Sequence, residues 1–274
     1  MPFIVSRETS IKRDCLPAEL APPAFHVKRE IRQSEADPKA IGAEVRARLE
    51  RTPLGPSGAL LTPHFLDRMQ TLAELLALWG ARTDLTARPN DPAETAFHIL
   101  DSLIPLLIAA RPDGTAIPEM LGEKLGKGRR VLDVGSGAGF PGLVLAAASD
   151  AHFTLCESRR KRASFLSVAV AEMGLDNVVV KSTRAEVASV ACDYDAMTAR
   201  ATGHWPSLWR IAAAAIRPGG IAILYVARDQ LLDMDLARAS GFASWRRVHY
   251  QIDHVGNSGD GRSMNRDLVL ALNR

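Results

Sequence analysis

Cysteine is scarce in this chain of 274 residues, and its placement excludes two architectures. Cys15, Cys156 and Cys192 are odd in number, far apart and form no CxxC pair, so neither a disulfide framework nor a zinc ribbon is supported, and a reducing cytoplasm fits best. Long apolar runs are missing too. LIPLLIAA at 103–110 falls well short of a bilayer span and contains a proline, and the opening MPFIVSRETSIKRD lacks the apolar core of a signal peptide. The expectation is a soluble, non-exported, cytoplasmic protein. Aromatics make up only 5% of the residues, which leaves no evident stacking platform for single-stranded nucleic acid. Charge of one sign hardly prevails: the formal net charge of +3 permits an acidic partner without demanding one. There is no internal repeat and no low-complexity tract.

What is present is an ordinary globular composition, 47% hydrophobic and 24% charged, in a chain long enough for one large domain with an appendage. Residues 1–55 show no clear apolar period before AIGAEVRARLE, which has the length of one short helix; the stretch reads as a loosely tethered, poorly defined extension. From Thr62 the signals sharpen. Thr62 can cap, Pro63 suits a first helical position, and Phe65, Met69, Leu72, Leu76 and Trp79 recur at helical spacing. A second helix starts at DPAETAFHILDSL, with Asp91 as cap, Pro92 at the first position and Glu94 placed to complete a capping box.

After Gly128 short apolar runs alternate with helical ones: RVLDV, PGLVLAAA, FTLCE, RRKRASFLSVAVAEM, NVVVKS, DAMTARA, WPSLWRIAAAAI, IAILYV and DQLLDMDLARA. Such alternation predicts a parallel sheet covered on both faces, and Gly174 is placed as the cap of the helix after Glu157. The end differs, because ASWRRVHYQIDHV and RDLVLALNR are separated by a polar, glycine-rich stretch with no helix. They should pair antiparallel. A mainly parallel, Rossmann-like sheet closed by an antiparallel hairpin is the order associated with class I methyltransferases.

The densest signal is VLDVGSGAGFPG from Val131. Read from Gly137, GAGFPG fits GxGxxG with Glu157 twenty residues on, the dinucleotide pattern; read from Asp133, DVGSGAG is an acid followed by GxGxG, the methyltransferase pattern. Chemistry separates the two. Pyrophosphate wants free N–H groups and no carboxylate, whereas the ammonium and sulfonium of S-adenosylmethionine suit Asp133, and Pro141 removes one N–H. Gly135, Gly137 and Gly139 then form the cofactor turn, and Glu157, closing the second strand, is placed to accept the ribose hydroxyls.

These residues resemble the RsmG (GidB) family from about Leu72 to Gly220. The likeness runs through LWGARTDLTA, DPAETAFHILDSL, DVGSGAGFPGLVLA, CESRRKRASFL, STRAE, MTARA and PGG, and the phenylalanine-proline-glycine after GSGAG is its most specific part. The resemblance implies a class I S-adenosylmethionine-dependent methyltransferase acting on N7 of a guanine in small-subunit (16S) ribosomal RNA. It implies cofactor contacts at Gly135, Phe140, Ala185, Glu186 and Arg200. Residues 56–128 would then be a helical part packed on a methyltransferase core at 129–274. Two positions depart from the family: its turn asparagine is Asp84 here, and where it often has lysine and glycine after the fifth strand, this chain reads Tyr225, Val226, Ala227, Arg228.

Guanine N7 carries an in-plane lone pair, so no general base is needed and none is assigned. For RNA, Arg159, Arg160, Lys161 and Arg162 form the densest basic run, at a helix start on the ligand edge of the sheet, with Arg228 and His98 as further candidates. Arg200 has a plainer alternative as a partner of Asp195. His249 and His254 read as strand residues, and no metal spacing is evident. The expected partner is ribosomal RNA or a ribosomal particle, with a monomeric protein favoured. Three rivals stay open: a methyltransferase on another target, a non-catalytic ribosome-binding module that senses the cofactor, and a NAD-dependent oxidoreductase.

Overall fold

Local capping signals set the first helices. In the computed structural model, which describes residues 37–52, 54–80, 82–111, 116–188, 193–200, 205–228, 230–253 and 263–274, Asp37 accepts the Lys39 N–H and opens α1 (Pro38–Glu50). Cys15, Cys192, His254 and the connection at 256–262 lie outside the described residues. Ile41, Val45 and Leu49 share one buried face of α1, which packs against α2 (Pro63–Gly80) and α3 (Pro92–Ala109). This end of the extension is therefore a packed helix and not a loose arm, because residues spaced by four supply an apolar stripe.

Thr62 caps α2 by accepting the Phe65 N–H at 3.1 Å, and Phe65, Met69, Leu72 and Leu76 are buried as their spacing predicts. Asp91 caps α3 through the N–H groups of Ala93 and Glu94. Glu94 does not complete a capping box. Its carboxylate accepts instead from the Arg88 N–H (3.2 Å) and the Arg88 Nε (2.8 Å), since the preceding turn presents it with two donors, one of them charged. Helix α3 is apolar enough by composition to cross a membrane, yet 67% of it is buried inside the fold, where it acts as the central helix of its layer.

The sheet comprises β1 (Arg130–Val134), β2 (His152–Cys156), β3 (Val178–Lys181), β4 (Tyr194–Arg200), β5 (Ile216–Ala227), β6 (Phe242–Asp253) and β7 (Ser263–Asn273). Its order is β3-β2-β1-β4-β5-β7-β6, parallel through β5 and antiparallel in β7 and β6. This is the predicted parallel sheet with a closing hairpin. One apolar face carries α1, α2, α3, α4 (Ile117–Lys124), α5 (Gly142–Ala148) and α6 (Arg160–Glu172). The other carries α8 (Trp205–Ala215) and α9 (Met234–Ala239), with the single turn α7 (Ala185–Ala188) alongside. The helical segment before β1 thus shares one core with the sheet.

Strand order places the site. The chain leaves β1 outward to β2 and β3, then returns to the other side of β1 at β4, so the order reverses between β1 and β4. In open α/β sheets, ligands settle in the crevice beyond the carboxyl ends of the strands at such a reversal.

Candidate cofactor cleft and nucleic-acid interface

The glycine turn leaves β1 at that reversal, and its hydrogen bonds decide between the two readings of the motif. The N–H groups of Gly135 and Ser136 both reach the Cys156 carbonyl, at 2.9 and 3.2 Å. Gly137 donates to Glu157 Oε2 at 3.0 Å, and Gly139 donates to the Ser136 carbonyl at 2.7 Å. Four donors that a pyrophosphate would require are thus engaged within the protein. A carboxylate also sits on the turn itself. Both facts oppose the dinucleotide frame.

Close packing explains two of the glycines. Gly139 has φ +91°, and a Cβ there would lie 2.3 Å from Leu143 Cδ1; at Gly142 it would lie 2.4 Å from Leu155 Cδ2 and 2.6 Å from Asp133 Oδ2. The second contact locates Asp133. This acid is fully buried, accepts from Thr198 Oγ1 at 2.7 Å, and lies under the start of α5. Burial raises its pKa above the usual carboxylate value, with the Thr198 hydrogen bond opposing the shift. Asp133 is not among the walls of the cleft and lies beneath the bend, its Oδ2 without a hydrogen-bond partner among the described residues.

The cleft has a volume of about 360 Å³, within the range of small-molecule sites. Gly135 from the turn, Ala185 and Glu186 from α7, and Ser207, Leu208 and Ile211 from α8 are among its walls. Residues named from two distant stretches of sequence, Gly135 and Ala185 with Glu186, thus meet in one place, joined by α8. Glu157 is 5% exposed and lies next to the cleft, both oxygens accepting backbone N–H groups, from Gly137 and from Arg159 at 2.8 Å. Each oxygen keeps a second lone pair for a further donor. Cys156 also lines the cleft, but burial pushes its thiol up to about 11 and it donates to the Thr183 carbonyl. A thiol so held is protonated at neutral pH and is no nucleophile.

Phe140 and Arg200 pack together, the guanidinium carbon 5.1 Å from the ring centroid, and His98 lies 5.2 Å from the same ring. Arg200 pairs with Asp101 at 3.1 Å. The alternative partner Asp195 sits near the opposite end of β4, where it binds Arg129, the Arg130 N–H and Arg217. Asp101 is wholly buried and also accepts from the Tyr250 hydroxyl at 2.8 Å, with Arg266 Nε 3.8 Å away. Sequence reasoning missed this cluster. A charged residue in the middle of an apolar helix was the available signal for Asp101, whereas Tyr250 and Arg266 meet only through the register of β6 and β7.

A second cleft, of about 400 Å³, lies between the turn after α2 and the start of α6, lined by Arg82, Thr83, Asp84 and Arg159 to Arg162. Arg159, Arg160 and Lys161 are exposed. Arg162 donates to the Asp84 carbonyl oxygen and lies 3.6 Å from its carboxylate. Cations at a helix N-terminus oppose the helix dipole, so this crowding does not serve the stability of α6.

The family model described as rRNA small subunit methyltransferase G (GidB) matches residues 66–257, from α2 to just past β6, and stops short of β7. The chain belongs to the GidB family. It is 37% identical to the ribosomal RNA small subunit methyltransferase G of Sorangium cellulosum over 68% of this chain and 70% of that one. With the corresponding protein of Acidiphilium cryptum it shares 37% identity over 73% of this chain and 81% of that one. Among solved structures, the tRNA methyltransferase TrmI of Aquifex aeolicus superposes with a TM-score of 0.49 at 16% identity, covering 74% of this chain and 76% of that chain. For a GidB protein the two departures noted in the sequence fall outside the cofactor cleft. Asp84 pairs with Arg162 beside the basic cleft, and Arg228 is exposed just beyond β5 at the ligand edge.

Proposed function

We propose that this chain binds S-adenosylmethionine in the cleft beyond β1, β2 and β3 and methylates N7 of a guanine in small-subunit ribosomal RNA. The observation that carries the reading is the convergence of Gly135, Ala185 and Glu186 on one cleft beside a turn whose amides are already engaged. In it, Gly137 and Gly139 shape the turn, Asp133 supports it, and Glu157 has lone pairs left for ribose hydroxyls. Phe140 and Arg200 close the side toward α3. Bound there, the cofactor supplies an electrophilic methyl group on a sulfonium.

The protein's own contribution is placement. N7 brings its lone pair without losing a proton, so the chain has to hold base and methyl in line and keep water out, and orientation accounts for the rate. Arg159, Arg160, Lys161 and Arg162, with Arg82, contact phosphates across the basic cleft, and His98 and Arg228 flank the substrate side. Polyanion binding of this kind weakens steeply with salt. The substrate is a folded RNA or an assembled particle, and the protein acts as a cytoplasmic monomer.

The deciding experiment offers labelled S-adenosylmethionine together with unmethylated small ribosomal subunits, free small-subunit RNA or small metabolites, and maps the labelled base. Label at a guanine N7 in ribosomal RNA is expected. Cofactor binding without transfer to any substrate would sink the enzymatic reading, and label on a metabolite would sink the RNA one.

A further inference from the structure

Three side chains from three strands converge on the carboxylate of Asp101. Its carboxylate, at 0% exposure on α3, receives Arg200 Nη1 on Oδ2 at 3.1 Å and the Tyr250 hydroxyl on Oδ1 at 2.8 Å, with Arg266 Nε 3.8 Å from Oδ1. The main-chain carbonyl of the next residue, Ser102, receives the Tyr225 hydroxyl at 2.8 Å. One side chain of α3 thus ties together the ends of β4, β6 and β7. Each guanidinium also has an aromatic face: Arg200 lies 5.1 Å from the Phe140 centroid and Arg266 lies 5.7 Å from that of Phe97.

We infer that Asp101 is a positioning residue for methyl transfer, fixing the guanidinium of Arg200 against Phe140 and so the wall of the site that turns toward substrate. Three physical points support this. A buried ion pair is a poor way to gain stability compared with apolar packing of similar volume, so what the cluster provides is a defined orientation. Arginine has many rotamers, and a head held at once by a carboxylate and a ring keeps only one. Two guanidiniums share one carboxylate, so the cluster retains one unit of positive charge at the sheet edge, suited to an anionic group of the ligands. Tyr250 and Arg266 act through Asp101, from the hairpin that closes the sheet.

The inference rests on the proposed placement of Arg200 beside the bound cofactor, and the test separates the two. Asp101→Asn keeps the volume and the Tyr250 hydrogen bond while removing the charge that holds Arg200. The variants Asp101→Asn, Arg200→Gln and the double variant are compared by calorimetric binding of S-adenosylhomocysteine and by single-turnover transfer to unmethylated small subunits, with a melting temperature for each. Asp101→Asn should lower transfer at saturating substrates on the order of 10-fold to 100-fold, the cost of misplacing one group. In the Arg200→Gln background the same change should cost less than about 2-fold, because contacting residues are non-additive.

Equal losses in both backgrounds, or a fall in melting temperature with transfer unchanged, would overturn the role of Asp101 and leave the cofactor cleft standing. Full binding and transfer in Arg200→Gln would overturn both assignments. Should Asp101→Asn fail to fold, Tyr250→Phe removes one donor to the carboxylate and keeps the ring. It should slow transfer about 3-fold in the parent, as loss of one charge-assisted hydrogen bond allows, and leave the Arg200→Gln variant unaffected; unchanged transfer in the parent would overturn the inference.

Discussion

Two carboxylates, Asp133 and Asp101, are buried equally completely at the same end of the sheet, yet their surroundings differ in kind. Asp133 sits under the glycine turn with one hydroxyl, that of Thr198, within 2.7 Å, and burial drives it toward the neutral acid. Asp101 sits among two guanidiniums and a phenol. Burial alone therefore says little about what an acid does. The first behaves as a space-filling polar brace for a tight turn, and the second as the fixed negative pole of a charged cluster.

The most damaging way to break this contrast is to crowd the brace. Gly142→Ala would put a methyl 2.6 Å from Asp133 Oδ2 and 2.4 Å from Leu155 Cδ2, both wholly buried. A loss of roughly 2–3 kcal/mol is expected in urea unfolding, the cost of overpacking a close-packed core. Cofactor binding should fall with it, since the turn rests on the displaced group. A stability within 0.5 kcal/mol of the parent, about the scatter of a surface change, would show that the turn is free to move away from Asp133.

A smaller effect distinguishes the protonation of the brace. Burial raises the folded pKa of Asp133 above the ordinary carboxylate value, so the folded state binds the proton more tightly than the unfolded chain. Stability from this group is therefore fully present below the unfolded value and is lost as pH rises from there through the folded value. Asp133→Asn has no titrating group here and no such dependence on pH. The difference in melting temperature, variant minus parent, should grow in favour of the variant as pH rises from about 4, the unfolded carboxylate value, toward neutrality. A flat difference across that window would mean that burial does not disfavour the charged form of Asp133.

The same contrast explains how much of the molecule the sequence discloses. The elements were legible because each rests on neighbours in the chain: Thr62 and Asp91 cap their own helices, Gly174 takes φ +60° at the end of α6, and the strands are short apolar runs between turns. Gly135, Ala185 and Glu186 were legible through the likeness to a family, and the fold then brought them to one cleft. What stayed hidden depends on pairing at a distance. Tyr250 and Arg266 oppose each other by strand register, and both reach a helix some 150 residues earlier, Asp101 to Tyr250 being 149 apart. The side to which Asp133 turns was equally out of reach, because a motif fixes a residue's position in the turn and not its burial.

The slightest change carries the comparison to the basic cleft, where Asp84 occupies the position at which the family resemblance places asparagine. Its side chain is 91% exposed and lies 3.6 Å from Arg162, a pair of the kind that adds little to stability. The firmer link is the hydrogen bond from Arg162 to the Asp84 main-chain carbonyl, which no substitution at 84 removes. Asp84→Asn should therefore leave the melting temperature unchanged and subtract one negative charge from a cleft lined by Arg82 and the four cations of 159 to 162. In filter binding at low salt, small-subunit RNA should bind about 2-fold to 3-fold more tightly, and the gain should fade as salt rises because it is one exposed charge's worth of phosphate attraction. An affinity unchanged at low salt would place the RNA elsewhere on the surface, and a gain that persists in high salt would make Asp84 a direct contact whose chemistry, not its charge, matters.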